Sequence, residues 1–532
     1  MKNNQSLKFS LRSNYKKIDL ILLSVLLVVA AFFRLARIED FQYWSDDEQL
    51  IWFIVRHIIL DGHPSLVTPN VATGVGLGPL FHYLIAPWYL LVNFQPEKIV
   101  LLGNLFALFS LIAIYYCGKI IGGRIVGFSA SFLYAASFMQ TLFDRRLWAL
   151  SPNVFLVTLG IIGLIKIIKG DSRYVYLLIP SLVFSVNSDP SLGSIVLSGI
   201  LTIFFFRPKV KIKHLALATI ISIFLLSPLV LFELRHSDQN AKSLIQFITQ
   251  QKSKDEFLDT KKGNFLILQL ENFSRFVYIN PTKSADAYFC YCPLYDRQNS
   301  VLVTVVGLTI FLFVLNSFRK RSAATMILSI SLLSYLFGIL IFKSIFKGNP
   351  AFFYSVTISP VIFLVIATVL SKNKIIMATA LLAILILNFH SYVNSNFRFP
   401  LRDRVALTRD LKPGLENRDF SLYYYGDILV AGGGFTSIFF ANNLKPLKGS
   451  LLDHWGHTYG SYNLYPLNPP DQEPATIVTV TDNETANKNS DQVIKTLTAG
   501  NLTAIIYNNT TSWFHPRTDA VYLYQPDYFS IK

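Results

Sequence analysis

The chain has 532 residues, of which 52% are hydrophobic and only 15% are charged, and its mean hydropathy is positive. These values exclude a single soluble domain, because such a chain would expose large apolar patches to water. The net charge of +16 does not indicate a nucleic-acid-binding protein, since the lysines and arginines stand in small groups between apolar runs and form no continuous stripe. The composition therefore predicts an integral membrane protein.

Apolar runs of roughly 15 to 20 residues, long enough to cross a hydrocarbon layer of ~30 Å, recur along the chain. About eleven of them are predicted to be transmembrane helices. The first is predicted to be a retained span and not a cleaved signal, because arginines follow it in place of a small-residue cleavage site. The predicted spans are residues 18–36, 99–117, 124–141, 153–169, 174–187, 191–206, 214–233, 300–317, 323–342, 351–370 and 374–390.

A further apolar run, residues 78–94, is short and contains His82 and Pro87. If this run lies in the membrane interface without crossing, the basic N-terminal tail and the basic loops between later spans all fall on the cytoplasmic side. If it crosses, those loops move outside. The positive-inside rule therefore favours the non-crossing arrangement, with a cytoplasmic N-terminus in a multi-pass plasma membrane protein.

This topology places three loops outside the cell, at about residues 38–98, 142–152 and 235–299, together with everything after residue 390. The sequence thus divides into a membrane domain, residues 1–390, and an extracytoplasmic domain, residues 391–532. In the second part, "FSLYYYG", "ATIVTVT", "LTAIIYN" and "AVYLYQ" predict strands, whereas "LRDRVALTRDLK" and "SDQVIKTLTAG" predict helices. "GGGFTSIFFANN" predicts a helix that starts at a glycine turn. We therefore expect a small C-terminal α/β domain.

Three consecutive acids, Asp46, Asp47 and Glu48, follow the first span in "YWSDDEQ". We call them the acid triplet. One interpretation is helix capping, with Ser45 or Asp46 as the N-cap and each acid contributing about 0.3–1 kcal/mol with the helix dipole. The other is catalysis, because a carboxylate partly desolvated at a membrane boundary makes a suitable general base. The two interpretations are compatible.

The acid triplet is followed by "GLGPLFHYLIAPWYLL" and then by "FDRRLWALSPNVFLVTLGII". In this order the three stretches resemble the polytopic glycosyltransferases of family 39 in the GT-C superfamily, which include protein O-mannosyltransferases and lipid A aminoarabinose transferases. The shared features are an Asp-Glu pair in the first outer loop, a Gly-Pro step before an interfacial helix and an Arg-containing second outer loop. The likeness covers residues 18–210 and extends more loosely to residue 390. The third acid, Asp46, departs from the family pattern, because it leaves the assignment of the base ambiguous by one position.

The resemblance implies a GT-C membrane fold and an inverting transfer of a sugar from a polyprenyl phosphate to an acceptor on the extracytoplasmic face. The acceptor is a protein, a glycan or a glycolipid. Such a reaction needs a base for the acceptor hydroxyl and cations for the departing phosphate. Aligned with the family pair, Asp47 is the expected base and Glu48 orients it, with Asp46 as the rival base. Neither a metal nor a cofactor is expected beyond the lipid-linked sugar, which is a co-substrate.

Asp144 in the second outer loop is the expected second acid of the site. An alternative for Asp144 is a local ion pair with Arg145 or Arg146. These two arginines are also candidates for the lipid phosphate, because arginine offers a bidentate fork to an anion.

Lys343 and Lys347 are further phosphate candidates, because they lie on the outer side and break the positive-inside pattern. Simple snorkelling at the end of a span is the alternative for both. Tyr354 resembles a residue of the family's late span, and His82 on the interfacial segment is a candidate substrate contact. The rival function is a multi-span transporter or lipid flippase, but transporters place ionisable residues near the membrane midplane, whereas the prominent charges here lie at the outer boundary.

Overall fold

The computed structural model describes residues 2–68, 76–236, 238–249, 264–282, 298–346, 352–424, 434–449, 476–483, 486 and 493–508. Helices make up most of these residues. The helices are α1 (Lys2–Leu35), α2 (Asp46–Leu60), α3 (Leu80–Leu91), α4 (Pro96–Ile99), α5 (Leu101–Gly122), α6 (Arg124–Ala136), α7 (Phe138–Asp144), α8 (Asn153–Ile168), α9 (Leu178–Asn187), α10 (Gly193–Phe206), α11 (Ile212–Arg235), α12 (Gln239–Thr249), α13 (Phe265–Arg275), α14 (Ser300–Lys320), α15 (Ala323–Phe346), α16 (Ser359–Leu370), α17 (Lys374–Asn394), α18 (Leu401–Leu415) and α19 (Phe435–Ala441). Short 3-10 helices cover Ile38–Asp40, Ser172–Leu177, Pro190–Leu192 and Phe352–Ile358.

Each apolar run predicted to span the membrane is largely helical. Within the described residues, 7 helices are long and apolar enough to cross a membrane, or 8 if the bent pair α6 and α7 forms one span. The predicted spans that start at residues 153, 174 and 191 correspond to shorter helices, α8 to α10. The predicted interfacial run forms α3, whose 12 residues extend about 18 Å, so this helix alone is too short for a hydrocarbon layer of ~30 Å.

Helices α6 and α7 are bent by 70° at Ser137. The break leaves backbone and side-chain groups that neighbouring segments satisfy: the Ser137 hydroxyl donates to the Phe276 carbonyl at 2.7 Å, and the Phe138 amide donates to the Asn388 side chain at 2.8 Å. Because buried backbone groups need partners, these two bonds stabilise the bend. The bend directs α7 towards the end of α1 and so determines where Asp144 lies.

The two ends of the apolar part of α1, Lys17–Leu35, are bound to different parts of the bundle. Near its start, Asp19 accepts from Lys119 at 2.5 Å and from Arg124 at 2.7 Å, at the turn between α5 and α6. At its end, Arg34 forms an ion pair of 2.6 Å with Asp144, the last residue of α7. The α5–α6 turn and the end of α7 therefore lie at opposite ends of this apolar part of α1.

The C-terminal part contains a five-stranded mixed sheet with β1 (Phe420–Tyr424), β2 (Lys448–Gly449), β3 (Thr476–Asp482), β4 (Val493–Ala499) and β5 (Leu502–Asn508). The strand order is β2-β1-β3-β5-β4; β1 is parallel to β2 and β3, whereas β5 is antiparallel to β3 and β4. Helix α18 packs on β4 and β5. This sheet confirms the predicted α/β domain, and α17 ends just before it at Asn394.

The sequence prediction was wrong in one element and confirmed in others. "SDQVIKTLTAG" was predicted as a helix, but residues 493–499 form β4. The β-branched residues in this segment favour a strand once β5 is available, and a turn with Gly500 at φ +57° joins the two strands. The strands in "FSLYYYG", "ATIVTVT" and "LTAIIYN", the helix α18 and the glycine-initiated helix α19 are confirmed. The predicted strand "AVYLYQ" lies outside the described residues.

Candidate functional site

The acid triplet forms the first turn of α2. Ser45 is the N-cap, and its hydroxyl accepts from the Asp47 amide at 3.2 Å. The Glu48 carboxylate accepts from the Ser45 amide at 2.9 Å, which completes a capping box. The capping interpretation of the triplet is therefore confirmed, with Ser45 as the cap. Among the three acids, the box uses Glu48.

Arg146 binds two of the three acids. Its guanidinium donates to both carboxylate oxygens of Glu48 and, from Nη2 at 3.2 Å, to Asp47 Oδ2. The side chains of Arg146 and Glu48 are each only 1% exposed. The guanidinium carbon lies 3.8 Å from the centre of the Trp148 ring and 4.8 Å from that of Tyr43. Arg146, predicted to bind the lipid phosphate, thus lies among the carboxylates and fixes their orientation.

Asp47 differs from Glu48 in its access to solvent. Its side chain is 60% exposed, and among the described residues its carboxylate accepts a side-chain hydrogen bond only from Arg146. Nevertheless, desolvation by the surrounding protein raises the pKa of Asp47; the Arg146 guanidinium opposes this shift and the Glu48 charge adds to it. Asp47 therefore combines access to solvent with neighbouring protein that disfavours its charged form. Such a group is suited to exchange a proton with a bound molecule.

Asp46, the rival base, is oriented towards the C-terminal domain. Its Oδ1 accepts from the backbone amide of Gly434 at 2.9 Å. The two aspartates of the triplet therefore have different partners: Asp47 contacts Arg146, and Asp46 contacts the residue that precedes α19.

Asp144, the predicted second acid, lies in a separate cluster. It accepts from Arg34 Nη2 at 2.6 Å, from Gln140 at 2.9 Å and from the Tyr134 hydroxyl at 3.0 Å. Its side chain is 9% exposed and that of Arg34 is 1% exposed. The ion pair considered as an alternative for Asp144 is present, but its partner is Arg34 and not one of the two arginines that follow Asp144.

Arg145, the other arginine of the predicted second outer loop, binds backbone carbonyls. It donates to Phe33 and Ala36 at 2.6 Å each and to Arg34 at 3.1 Å, all at the end of α1. These carbonyls have no partner within the helix, so the buried guanidinium caps α1. These hydrogen bonds occupy the guanidinium N–H groups of Arg145 that a lipid phosphate would need.

The remaining predicted phosphate ligands are only partly described. The Lys343 ammonium lies 5.4 Å from the centre of the Phe265 ring, at the start of α13. Tyr354 packs against Phe353 and Phe342, with ring centres 4.6 and 5.7 Å away. Lys347 lies outside the described residues. No contact described here joins Lys343 or Tyr354 to the acid triplet.

His82 lies on the buried face of α3 and is 6% exposed. Neither ring nitrogen has a hydrogen-bond partner among the described residues. Burial lowers the pKa of His82 to about 3, so the imidazole is neutral at physiological pH. Seven positions further along the same helix, Tyr89 is close enough to Glu48 for that charge to help raise its pKa, after the larger effect of burial. His82 therefore lies on the face of α3 that turns towards the acid triplet.

Arg275 is a buried cation that the sequence analysis missed. It ends α13, is 2% exposed, and donates to Asn272 at 2.6 Å. Its guanidinium lies 5.3 Å from the centre of the Phe352 ring. The signal available in the sequence was an amphipathic segment with a terminal arginine, inside the long loop predicted at residues 235–299. That loop offers several basic residues and no pattern that distinguishes this one.

An aromatic layer connects Arg275 to the acid triplet. Ring centres are 5.7 Å apart for Phe352 and Phe143, and 6.0 Å apart for Phe143 and Trp148. Trp148 in turn lies under Arg146. The cation and the carboxylates therefore flank one continuous apolar layer.

Asp189 is a second missed residue. This buried carboxylate accepts from the amide of Asn153 at 2.5 Å and from the hydroxyl of Ser191 at 2.5 Å. Thr357 completes the cluster, with its hydroxyl 3.0 Å from the Asn153 amide nitrogen. The cluster joins α8 to the 3-10 helices Pro190–Leu192 and Phe352–Ile358. Because Phe352 belongs to the second of these, the cluster helps to hold the aromatic layer in position.

Comparison with solved structures places this architecture among known folds. ArnT from Cupriavidus metallidurans bound to undecaprenyl phosphate aligns with a TM-score of 0.53 and 10% identity, over 92% of this chain and 98% of that one. For ArnT in the apo state the TM-score is 0.58 and the identity 11%, over 93% and 98% of the two chains. The oligosaccharyltransferase AglB from Archaeoglobus fulgidus, in complex with an inhibitory peptide and a dolichol phosphate, has a TM-score of 0.43 and 11% identity, over 87% and 69%.

No protein-family model matches the sequence, and a search of curated proteins finds no match. At identities near 10% the likeness to ArnT shows the fold alone. It is the GT-C type of fold: a multi-pass helical membrane protein with a small C-terminal sheet domain. The predicted fold class is thereby confirmed.

Proposed function

We propose that this protein is a membrane glycosyltransferase that moves a sugar from a polyprenyl-phosphate donor to an acceptor on the extracytoplasmic face. The observation that carries the proposal is Asp47, a solvent-accessible carboxylate that Arg146 orients beside the buried Glu48. Its buried neighbour Glu48 is committed to the capping box and to Arg146. Asp47 is therefore the general base, and Glu48 with Arg146 fixes its orientation.

The proposed reaction inverts the anomeric carbon. The acceptor hydroxyl oxygen forms a bond to that carbon from the side opposite the phosphate, and the hydroxyl proton passes to Asp47. The bond between the anomeric carbon and the phosphate oxygen breaks, and its electron pair stays on the phosphate. Cations near the phosphate stabilise this charge. No nucleotide sugar is needed, because the lipid phosphate supplies the leaving group.

The proposed cations are Arg275, Lys343 and Lys347. Arg275 is favoured because it is buried beside the aromatic layer, where low polarity strengthens its attraction to a phosphate. Tyr354 and His82 are proposed to contact the donor or the acceptor. A neutral imidazole is both a donor and an acceptor, which suits a sugar hydroxyl. Arg145 and Asp144 are assigned to the fold by their contacts.

The proposed topology follows from charge and from the two ends of the apolar part of α1, Lys17–Leu35. The end that carries Asp19, Lys119 and Arg124 is cytoplasmic, as the positive-inside rule favours. The acid triplet, the second outer loop and the C-terminal domain then lie outside a plasma membrane. Residues 1–390 form the catalytic membrane domain, and residues 391–532 form the extracytoplasmic domain.

The donor class rests on the fold likeness to ArnT, which was solved bound to undecaprenyl phosphate, and on the resemblance of residues 44–64, 76–91 and 143–162 to family 39. A protein, a glycan or a glycolipid is the proposed acceptor. We propose no metal and no cofactor beyond the lipid-linked sugar, and no nucleic-acid partner.

Sugar transfer in membranes that contain the protein tests the proposal. Radiolabelled polyprenyl-phosphate sugars are supplied to wild type, Asp47→Asn and the control Asp61→Asn, which changes a surface acid at the opposite end of the same helix. We expect Asp47→Asn to lower transfer by about 10²- to 10⁴-fold, as loss of a general base does, while Asp61→Asn transfers normally. Full activity of Asp47→Asn would reject this base. A wild type that transfers nothing from a broad donor panel would favour the transporter or flippase.

A further inference from the structure

The C-terminal domain contacts the first turn of α2 through the start of α19. The Gly434 amide donates to Asp46 Oδ1 at 2.9 Å, and the Ser437 amide donates to Gln49 Oε1 at 2.8 Å. In the reverse direction, the Trp44 indole donates to the Ser437 hydroxyl at 3.0 Å. Three hydrogen bonds thus connect one turn of the C-terminal domain to the residues that flank Asp47.

Gly434 is required at this contact for two separate reasons. Its backbone has φ +82°, which residues with a side chain rarely adopt. A Cβ atom at this position would lie 2.9 Å from the Trp44 ring and 3.0 Å from the backbone of Ser45. The close approach of the two backbones therefore depends on the absence of a side chain.

Aromatic packing supports the same contact further along α19. The Phe440 ring lies edge-on to Phe53, with centres 5.4 Å apart, and 6.4 Å from Trp52. Phe53 and Trp52 are buried residues of α2. One face of α19 therefore packs on α2, while its first turn binds the acid triplet.

We propose that Gly434 and Ser437 form a positioning element for the candidate base. On α2, Asp46 is the residue that accepts the hydrogen bond from Gly434. By accepting the Gly434 amide, Asp46 fixes the first turn of α2 so that Asp47, the next residue, faces Arg146 and solvent. Asp46 is then a positioning residue and not a second base. The C-terminal domain thereby takes part in catalysis, and this inference rests on the proposed function.

Two substitutions of Asp46 separate a positioning role from a charge role. Asparagine keeps an oxygen that accepts the Gly434 amide, whereas alanine removes it. We expect Asp46→Ala to lower kcat by about 10- to 100-fold, because a misplaced catalytic group costs that much, with the KM for the donor changed by less than about threefold. Asp46→Asn restores kcat to within about threefold of wild type. An Asp46→Asn variant as inactive as Asp46→Ala would overturn the proposal, since the charge would then be what matters.

Gly434→Ala tests the same contact from the side of the C-terminal domain. Its matched control is Gly500→Ala, a glycine of the same domain with φ +57° whose added Cβ would meet Asp403 and not the acid triplet. We expect Gly434→Ala to lower kcat as Asp46→Ala does, while Gly500→Ala keeps the wild-type kcat per folded molecule. Equal kcat values for the two glycine variants would overturn the proposal.

Hydrogen exchange of peptides covering residues 41–56 provides a measurement that does not depend on sugar transfer. We expect faster exchange in Gly434→Ala and Asp46→Ala than in wild type, Asp46→Asn and Gly500→Ala, because the first turn of α2 loses its external support. Unchanged exchange in Gly434→Ala would overturn the positioning role even if transfer is measurable. If the wild type transfers no sugar, the proposed function fails, and the exchange pattern still decides whether the C-terminal domain fixes this turn.

Discussion

Asp47 and Asp144 are both aspartates paired with an arginine near the same end of the bundle, but their surroundings differ. Asp144 accepts from Arg34, Tyr134 and Gln140 and is 9% exposed. Asp47 accepts a side-chain hydrogen bond from Arg146 and is 60% exposed. A carboxylate whose oxygens are all occupied stabilises the fold, whereas one that keeps an accessible oxygen is able to take a proton from a bound molecule. The comparison therefore teaches that the charge partner does not distinguish the two aspartates, whereas the number of donors and the access to solvent do.

The largest expected difference between the two aspartates is in stability. Asp144→Asn leaves Arg34 as a buried charge without its ion partner, which costs about 3–5 kcal/mol of unfolding free energy. Asp47→Asn costs less than about 1 kcal/mol, because the Asp47 side chain is 60% exposed and Arg146 keeps its ion pair with Glu48. Thermal unfolding of both variants in detergent, followed by size-exclusion chromatography, measures this difference. If Asp144→Asn unfolds like wild type but transfers no sugar, Asp144 belongs to the chemistry and the comparison fails.

A smaller effect is expected on the pH dependence of transfer. Desolvation raises the pKa of Asp47, and the Arg146 charge opposes this shift. As a base, Asp47 works when ionised, so the rate is highest above its pKa and falls as the pH drops through it. Arg146→Gln removes the opposing charge, and we expect the acidic limb of kcat/KM to move to higher pH.

Arg146→Lys is the matched variant for this measurement. It keeps the positive charge but loses the guanidinium fork, so we expect a rate lower by about 10-fold with an acidic limb close to that of wild type. An acidic limb at the same pH in Arg146→Gln and wild type would show that Asp47 is not the titrating base.

The smallest effect is expected for Asp61, an acid that neither forms a buried ion pair nor is the candidate base. Asp61 ends α2 and pairs with Arg56 at 3.1 Å, with exposed fractions of 32% and 20%. Exposed ion pairs contribute about 0–1 kcal/mol, so Asp61→Asn should change neither unfolding nor transfer measurably. The same unfolding and transfer assays provide the check. A large loss of transfer in Asp61→Asn would indicate that the whole of α2, and not Asp47 in particular, is sensitive to substitution.

Much of the fold was predictable because membrane insertion depends on local hydropathy. A run of apolar side chains favours a helix in lipid wherever it occurs, since its backbone groups must be satisfied within the segment. The capping box was also predictable, because Ser45 and Glu48 are three residues apart and need no distant partner. By contrast, β4 was predicted as a helix because its partner β5 decides its conformation, and a single segment does not contain that information.

The candidate site was predictable in its residue types and less so in its pairings. The acid triplet and Arg146 were found from sequence, but Arg275 was missed because it stands in a long loop without a distinguishing pattern. Arg146 was expected at a phosphate and instead orients the carboxylates. Arg145 was expected there too and instead caps α1.

The sequence by itself determined the membrane class, the helices and the local cap that starts α2, because hydropathy and short-range hydrogen bonds act between neighbours along the chain. Only the tertiary structure decided which charged and polar groups meet. Asp144 pairs with Arg34 across 110 positions, and Asp46 meets Gly434 across 388. With 48 basic and 32 acidic residues, many pairings are electrostatically equivalent, and the packing of helices and domains selects among them.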